Sequence, residues 1–160
     1  MTIKKQQKQK VLVIGGSGYI GSEFCNFLLN KNLQVDCVDN GIYENNFSIR
    51  KLKKFKNFKF YNKDLRKLKI KKSYKNVVVF AGLVGDPITK KYPLLSKSIN
   101  YFGIKNIINQ FKNENVKFIF ISTCSNYGFK KNVIAKEETS LNPKSLYAEQ
   151  KVSIEKYILS

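Results

Sequence analysis

The stretch Val11-Leu12-Val13-Ile14-Gly15-Gly16-Ser17-Gly18-Tyr19-Ile20-Gly21 runs from four apolar residues straight into a glycine-rich turn. The short apolar run reads as a buried strand, and the residues from Tyr19 onward open a helix. Glycines fall at Gly15, Gly18 and Gly21, a G-x-x-G-x-x-G spacing. So sharp a strand-to-helix turn needs backbone angles that glycine adopts without steric cost. The missing Cβ atoms let the backbone approach a ligand closely. The helix start offers unpaired N–H groups and the positive end of its dipole to a phosphate. The stretch therefore predicts a diphosphate cradle, and with it a bound dinucleotide.

Outward from this turn, apolar strands alternate with helical segments. Residues 19–30 predict a helix with Ile20, Phe24, Phe27 and Leu28 on its apolar face. Further strands are expected at residues 34–38, 58–61, 76–80 and 117–122, and helices at 93–112 and 145–159. Residues 40–57 form a lysine-rich connection without clear periodicity. Alternation of this kind predicts an α/β fold, a doubly wound parallel sheet of Rossmann type with strand order 3-2-1-4-5. Residues 1–10 read as a basic N-terminal tail and residues 11–160 as one dinucleotide-binding domain.

Charge is the compositional outlier. Thirty Lys and Arg against eleven Asp and Glu give a formal net charge of +19. A polyanion partner is one explanation. Almost all of that charge is lysine, however, with Arg50 and Arg66 the two arginines, and Asn and Ile are also abundant. Lys, Asn and Ile share A/T-rich codons, so compositional drift accounts for the mixture better, and no specific nucleic-acid partner is expected. With no histidine in the chain, Ser-His-Asp chemistry is excluded. The three cysteines lack C-x-x-C spacing, so no metal site is expected. No apolar stretch approaches the ~20 residues of a membrane span. A cytoplasmic protein without membrane attachment is the expectation.

Three groups of residues carry chemistry. Asp39 ends the second expected strand, 18 residues after Gly21. A carboxylate there can accept from both ribose hydroxyls of an adenosine and repels a 2′-phosphate, which favours NAD over NADP. Tyr147 and Lys151 lie at i and i+4 of the last helix, on one face. An ammonium beside a phenol stabilises the phenolate and fits tyrosine to act as a general base. Ser122-Thr123-Cys124-Ser125-Asn126-Tyr127-Gly128 follows the fifth strand. Ligands of an open α/β sheet bind beyond the carboxyl ends of its strands, so a hydroxyl here can orient a substrate oxygen. Each group also has a plain structural reading: a strand-end turn, an exposed Tyr–Lys pair and a strand cap.

In this order and at these separations the motifs resemble the extended short-chain dehydrogenases/reductases, the NAD-dependent epimerase/dehydratase group acting on nucleotide sugars. The resemblance spans nearly the whole chain. It implies an NAD site formed by Gly15, Gly18, Tyr19, Ile20 and Gly21 of the glycine motif, with Asp39 and Asn40 at the ribose. It further implies Asp64 and Leu65 near the adenine, Ala81, Gly82 and Leu83 after the fourth strand, and Asn100 of the long central helix. Thr123, Tyr147 and Lys151 would be catalytic. On that likeness Tyr147 takes the hydroxyl proton, Thr123 holds the reacting oxygen and Lys151 holds the nicotinamide ribose. Epimerisation or simple oxidoreduction of a nucleotide sugar follows, and a homodimer through helices of this domain.

Two departures qualify the likeness. Dehydratases of the family carry an Asp-Glu pair directly after the catalytic threonine, where this chain has Cys124 and Ser125, so dehydration is disfavoured. Family members also continue well past the Tyr-Lys helix into a C-terminal substrate domain, which is expected to be absent from a chain ending at Ser160. A truncated, non-catalytic NAD-binding module is therefore the competing expectation.

Overall fold

The computed structural model describes residues 9–71, 73–129 and 134–160. Most of the expected basic tail, residues 1–8, lies outside the described residues. The chain divides into two compact units. The described part of Met1–Asp64, with Lys71–Ala81 and Asn113–Ile119, makes the first. Leu65–Ile70, Gly82–Lys112 and Phe120–Ser160 make the second.

The first unit is built on the parallel sheet. Strands β1 (Lys10–Ile14), β2 (Gln34–Asp39), β3 (Phe58–Asn62), β4 (Asn76–Val79) and β5 (Lys117–Phe120) stand in the order β3-β2-β1-β4-β5. This is the order expected from the sequence, with its switch point beside β1. β1 is paired on both sides: Val13 faces Cys37 of β2 and Val78 of β4. Val11, Leu12, Val13 and Ile14 are all buried, so both faces of the strand are covered, and such a strand reads as an unbroken apolar run.

Helix α1 (Tyr19–Asn30) packs Cys25, Leu28 and Leu29 into a cluster with Val11, Val13, Val35, Cys37 and Val78. The expected face is turned by one position. Gly21, Ser22, Cys25, Leu28 and Leu29 are buried, whereas Ile20 and Phe27 are exposed. Small residues at 21 and 22 let the first helical turn lie close to the glycine turn, and this sets the rotation. A short helix, α2 (Asn46–Leu52), adds Ile49 and Leu52 to the cluster from within the stretch expected to be irregular.

A charge lies inside this unit. Asp36 of β2 is fully buried, 2.7 Å from Lys10 Nζ, and accepts from the Tyr74 hydroxyl at 2.6 Å. Burial, followed by the hydrogen bond to Asp36, pushes the Tyr74 phenol above its usual range. Asp36 Oδ1 has no partner among the described residues.

The second unit is helical. It contains α3 (Asp86–Lys91), α4 (Pro93–Ser96), α5 (Ile104–Asn109) and α6 (Leu146–Leu159). The single helix expected over 93–112 is instead α4, a π-helical segment Lys97–Gly103 and α5, ending at Asn109. π-Segments are rare. Asn100, in its middle, reaches across to the 82–83 loop: its Oδ1 accepts from Leu83 N–H at 2.8 Å and its Nδ2 donates to Leu83 C=O at 2.9 Å. α6 buries Tyr147, Gln150, Lys151 and Ile154, a stripe at helical spacing.

The Lys10–Asp36 pair yields a stability prediction. Lys10→Met strands a buried carboxylate and is expected to cost about 3 kcal/mol. Lys10→Met combined with Asp36→Leu is expected to recover most of that loss. Urea unfolding of the two variants and the parent chain measures both.

Candidate functional site

The first unit carries the glycine turn. Ile14 C=O accepts from both Phe80 N–H, at 2.8 Å, and Ala81 N–H, at 3.0 Å, while Gly15 N–H donates to Val38 C=O at 2.8 Å. The end of β1 is thereby tied to both neighbouring strands. Gly15 then turns with φ +84°, and a Cβ there would sit 2.3 Å from Ala81 N. At Gly21 a Cβ would meet Gly15 O at 2.3 Å, so this glycine brings the helix against the turn. Gly18 differs, because the nearest atom to its Cβ position is Gly15 O at an ordinary 3.5 Å. Its backbone is ordinary extended chain, with φ −64° and ψ 171°. Among the described residues nothing demands glycine at 18.

Above this turn α1 begins without a side-chain cap or an acidic residue in its first turn. The first α-helical N–H groups have no acceptors of their own within the helix. Tyr19 and Ile20 are exposed there. Asp39, at the end of β2, spreads its carboxylate over two backbone amides. Oδ2 accepts from Ser17 N–H at 3.0 Å and Oδ1 from Gly41 N–H at 2.8 Å. It is thus both a strand-end turn residue and a brace for the glycine loop. Each oxygen keeps acceptor capacity for further donors. Asn40 is exposed, its Oδ1 accepting from Ile42 N–H at 3.3 Å.

Ser17 is gripped on its other side by Asn45, whose Nδ2 donates to Ser17 C=O at 2.8 Å. Sequence reading missed Asn45, because a contact 28 residues away leaves no local signal in a lysine-rich connection. Beneath the turn lie the Cys25 and Cys37 thiols, 3.1 and 2.5 Å from the Cβ position of Gly16. The neighbouring Cys25 thiol and burial push the Cys37 thiol far above its usual range. Asp64 and Ala81, both half-buried, belong to this unit too.

The second unit holds the other expected residues. Leu65 is buried in a 3₁₀ turn, and a Cβ on Gly103 would collide with its Cδ1 at 2.2 Å. Gly82 and Leu83 form the loop that Asn100 grips; a Cβ on Gly82 would lie 3.0 Å from Asn100 Oδ1. Asn100 also donates to Gln150 Oε1 at 2.9 Å, and Ser96 Oγ donates to the same oxygen at 2.7 Å. Its amide is therefore committed to the chain, joining the 82–83 loop to α6.

Tyr147 and Lys151 face inward together on α6, which Ser145 opens by accepting from Ala148 N–H at 3.3 Å. Lys151 is 4% exposed, and its Nζ donates to Ile121 C=O at 2.7 Å. The ammonium lies 4.5 Å from the Phe120 ring centre and 5.6 Å from that of Tyr147. Burial lowers the Lys151 pKa to about 8, against the pull of Glu155 in the other direction. The plain reading of an exposed Tyr–Lys pair does not hold. Thr123 is half-buried and caps a short 3₁₀ turn (Cys124–Tyr127), its Oγ1 accepting from Ser125 N–H at 3.2 Å. That bond uses a lone pair and leaves the hydroxyl proton to donate. Among the described residues no cluster of three or more His, Cys, Asp or Glu is arranged to hold a metal, and no helix is long and apolar enough to cross a membrane.

The chain is similar to known proteins in sequence and in fold. The chain is 33% identical over 154 residues to a UDP-glucose 4-epimerase of Lactobacillus helveticus, covering 92% of this chain and 45% of that one. It is 32% identical over 159 residues to UDP-glucose 4-epimerase 2 of Oryza sativa subsp. japonica, covering 91% and 38%. Among solved structures, the UDP-glucuronic acid 4-epimerase of Bacillus cereus in complex with UDP-glucuronic acid and NAD superposes with a TM-score of 0.85 at 28% identity. That match covers 92% of this chain and 50% of that one. The UDP-Glc/GlcNAc 4-epimerase of Campylobacter jejuni gives 0.85 at 27%, covering 93% and 47%. The chain thus spans less than half the length of these two sequence relatives. The profile of the NAD dependent epimerase/dehydratase family matches residues 11–160, and the chain belongs to that family.

Proposed function

We propose that this chain is the NAD-binding, catalytic portion of a nucleotide-sugar epimerase or closely related oxidoreductase. The observation that carries the reading is Gly18, a motif glycine that the packing of the described residues does not require. A Cβ there would fill space beside an uncapped helix start, the place suited to a diphosphate. Asp39, with acceptor capacity beyond Ser17 and Gly41, fits a ribose diol and repels a 2′-phosphate. The residues present fit NAD, and the solved relatives crystallised with NAD or UDP-sugars support the same choice.

In this reading Gly15, Gly18, Tyr19, Ile20, Gly21, Asp39, Asn40, Asp64 and Ala81 of the first unit would hold the cofactor, and the family likeness extends the same assignment to Leu65, Gly82 and Leu83 of the second. Asn100 serves that set by fixing Leu83. The chemistry NAD supplies when bound is uptake and return of a hydride at a sugar ring carbon. Tyr147 takes the proton of the sugar hydroxyl, and Thr123 donates its own hydroxyl to the reacting oxygen. Lys151, held against Ile121 C=O, places a positive charge beside the phenol and favours its ionised form. Cys124 and Ser125 supply no acid/base pair for water elimination, so dehydration is disfavoured. A nucleotide-sugar substrate and a homodimer belong to the same reading through the family resemblance, and a cytoplasmic location through the composition of the sequence.

Two outcomes are expected. In calorimetric titrations the chain binds NAD more tightly than NADP. Asp39→Asn, which can still accept from Ser17 but carries no charge, weakens NAD binding by roughly tenfold and narrows that preference. Equal affinity for both dinucleotides in the unmodified chain would remove Asp39 from its assigned role.

The second outcome concerns Lys151. Its folded pKa of about 8 lies below the ordinary lysine value of 10.5. Between those pH values the unfolded chain binds a proton that the folded chain does not, so this group makes stability rise with pH. Lys151→Met is therefore expected to stabilise the fold at pH 7 by at most ~3 kcal/mol, less the lost bond to Ile121. The advantage should shrink as pH rises from 8 toward 10.5, as thermal melts of both proteins across that range will show.

A further inference from the structure

Helix α6 carries an acidic side chain that the proposed chemistry does not use. Glu155 stands four residues beyond Lys151 and eight beyond Tyr147, so the three follow one another along one helix face. Its Oε1 accepts from Asn126 Nδ2 at 2.8 Å. The same Asn126 nitrogen donates to Ser122 Oγ at 2.9 Å. Asn126 is 2% exposed, and its Oδ1 has no partner among the described residues. Flipping the amide would satisfy nothing better, because it would turn Oδ1 against the Glu155 carboxylate. The carboxylate therefore dictates the amide's orientation.

The consequence falls on the segment that carries Thr123. Lys151 holds Ile121 C=O directly, and Glu155, one turn further on, holds Ser122 through Asn126. Asn126 N–H also donates to Thr123 C=O at 3.3 Å. Two side chains of one helix thus clamp residues 121–126 on both sides of the threonine hydroxyl.

We infer that Glu155 is a positioning residue, which through Asn126 and Ser122 fixes the Thr123 hydroxyl with respect to the Tyr147–Lys151 pair. It has a second effect through charge. Among the described residues Glu155 is the charged group acting on Lys151, and the Phe120 and Tyr147 rings and Ile121 C=O also face the ammonium. The carboxylate raises the lysine pKa against the lowering by burial, and so sustains the ammonium. The inference rests on the roles proposed above for Thr123, Tyr147 and Lys151. Its test does not, because it needs no nucleotide.

In the 160-residue chain, an NMR titration of the lysine Cε signals reads the Lys151 pKa, and amide exchange at Ser125 and Asn126 reads the clamp. Glu155→Gln keeps an acceptor oxygen and loses the charge. The Lys151 pKa is expected to fall by about half a unit or more while amide protection is retained. Glu155→Ala loses both, so the same fall is expected with exchange about tenfold faster. Ser122→Ala breaks only the last link: exchange quickens and the pKa stays. An unchanged Lys151 pKa in Glu155→Gln, or unchanged exchange in both Glu155→Ala and Ser122→Ala, overturns the inference. Should Glu155→Ala fail to fold, the other two variants still decide it. Failure of NAD to bind would count against the proposed function and leave these readouts untouched.

Discussion

Everything at the carboxyl end of β1 in the first unit depends on how that strand leaves the sheet. Ile14 C=O is claimed by two amides after β4, and Gly15 N–H by the Val38 carbonyl of β2. The chain can then continue only by turning at a positive φ, at a point with no room for a side chain. Gly15 resolves both demands. Gly21 lets the helix close on the turn, and Asp39 with Asn45 holds Ser17 from its two backbone sides. The loop is thus braced by the chain before any ligand arrives, which reduces the ordering cost of binding one.

The second unit uses a comparable device around α6. Gln150 joins that helix to Asn100 and Ser96, and Asn100 in turn holds Leu83. Lys151 holds Ile121, and Glu155 reaches Ser122 through Asn126. Polar side chains on one helix thus fix two separate loops, each with a residue of the proposed site. The neutral Ser96–Asn100–Gln150 network is costly to break at one member, because the remaining partners are stranded away from water. Such bonding holds side chains rigidly, and rigid placement is what the proton transfer proposed for Tyr147 would require.

The sheet, its strand order and α1 were legible because they are written locally: apolar runs, a glycine turn and an amphipathic period. The glycine motif and Asp39 were legible for the same reason, and Tyr147 with Lys151 because i and i+4 share a helix face. Helices α2 and α3 were not, since they are short and lysine-bearing and give little periodicity. The π-segment is not separable from ordinary helix in the sequence, because its apolar residues recur much as they would on an α-helix. Asn45, Asn126 and Glu155 were missed on similar grounds. Each works through a partner at least 28 residues away in the cases of Asn45 and Glu155, or, for Asn126, through a loop whose shape no short window reveals. Asp36 shows the limit from the other side: its strand was recognised, yet full burial of its charge against Lys10 was not foreseeable from alternation.

The central claim is that the turn at Gly15–Gly21 is kept open for a dinucleotide diphosphate. A titration of the ¹⁵N-labelled chain with NAD, followed by amide NMR, tests it most directly. The account predicts saturable shifts centred on the amides of Gly18, Tyr19, Ile20 and Gly21, and their loss in Gly18→Val, whose side chain would occupy the space left beside the helix start. Unchanged turn amides at millimolar NAD, or shifts that persist in Gly18→Val, would contradict it.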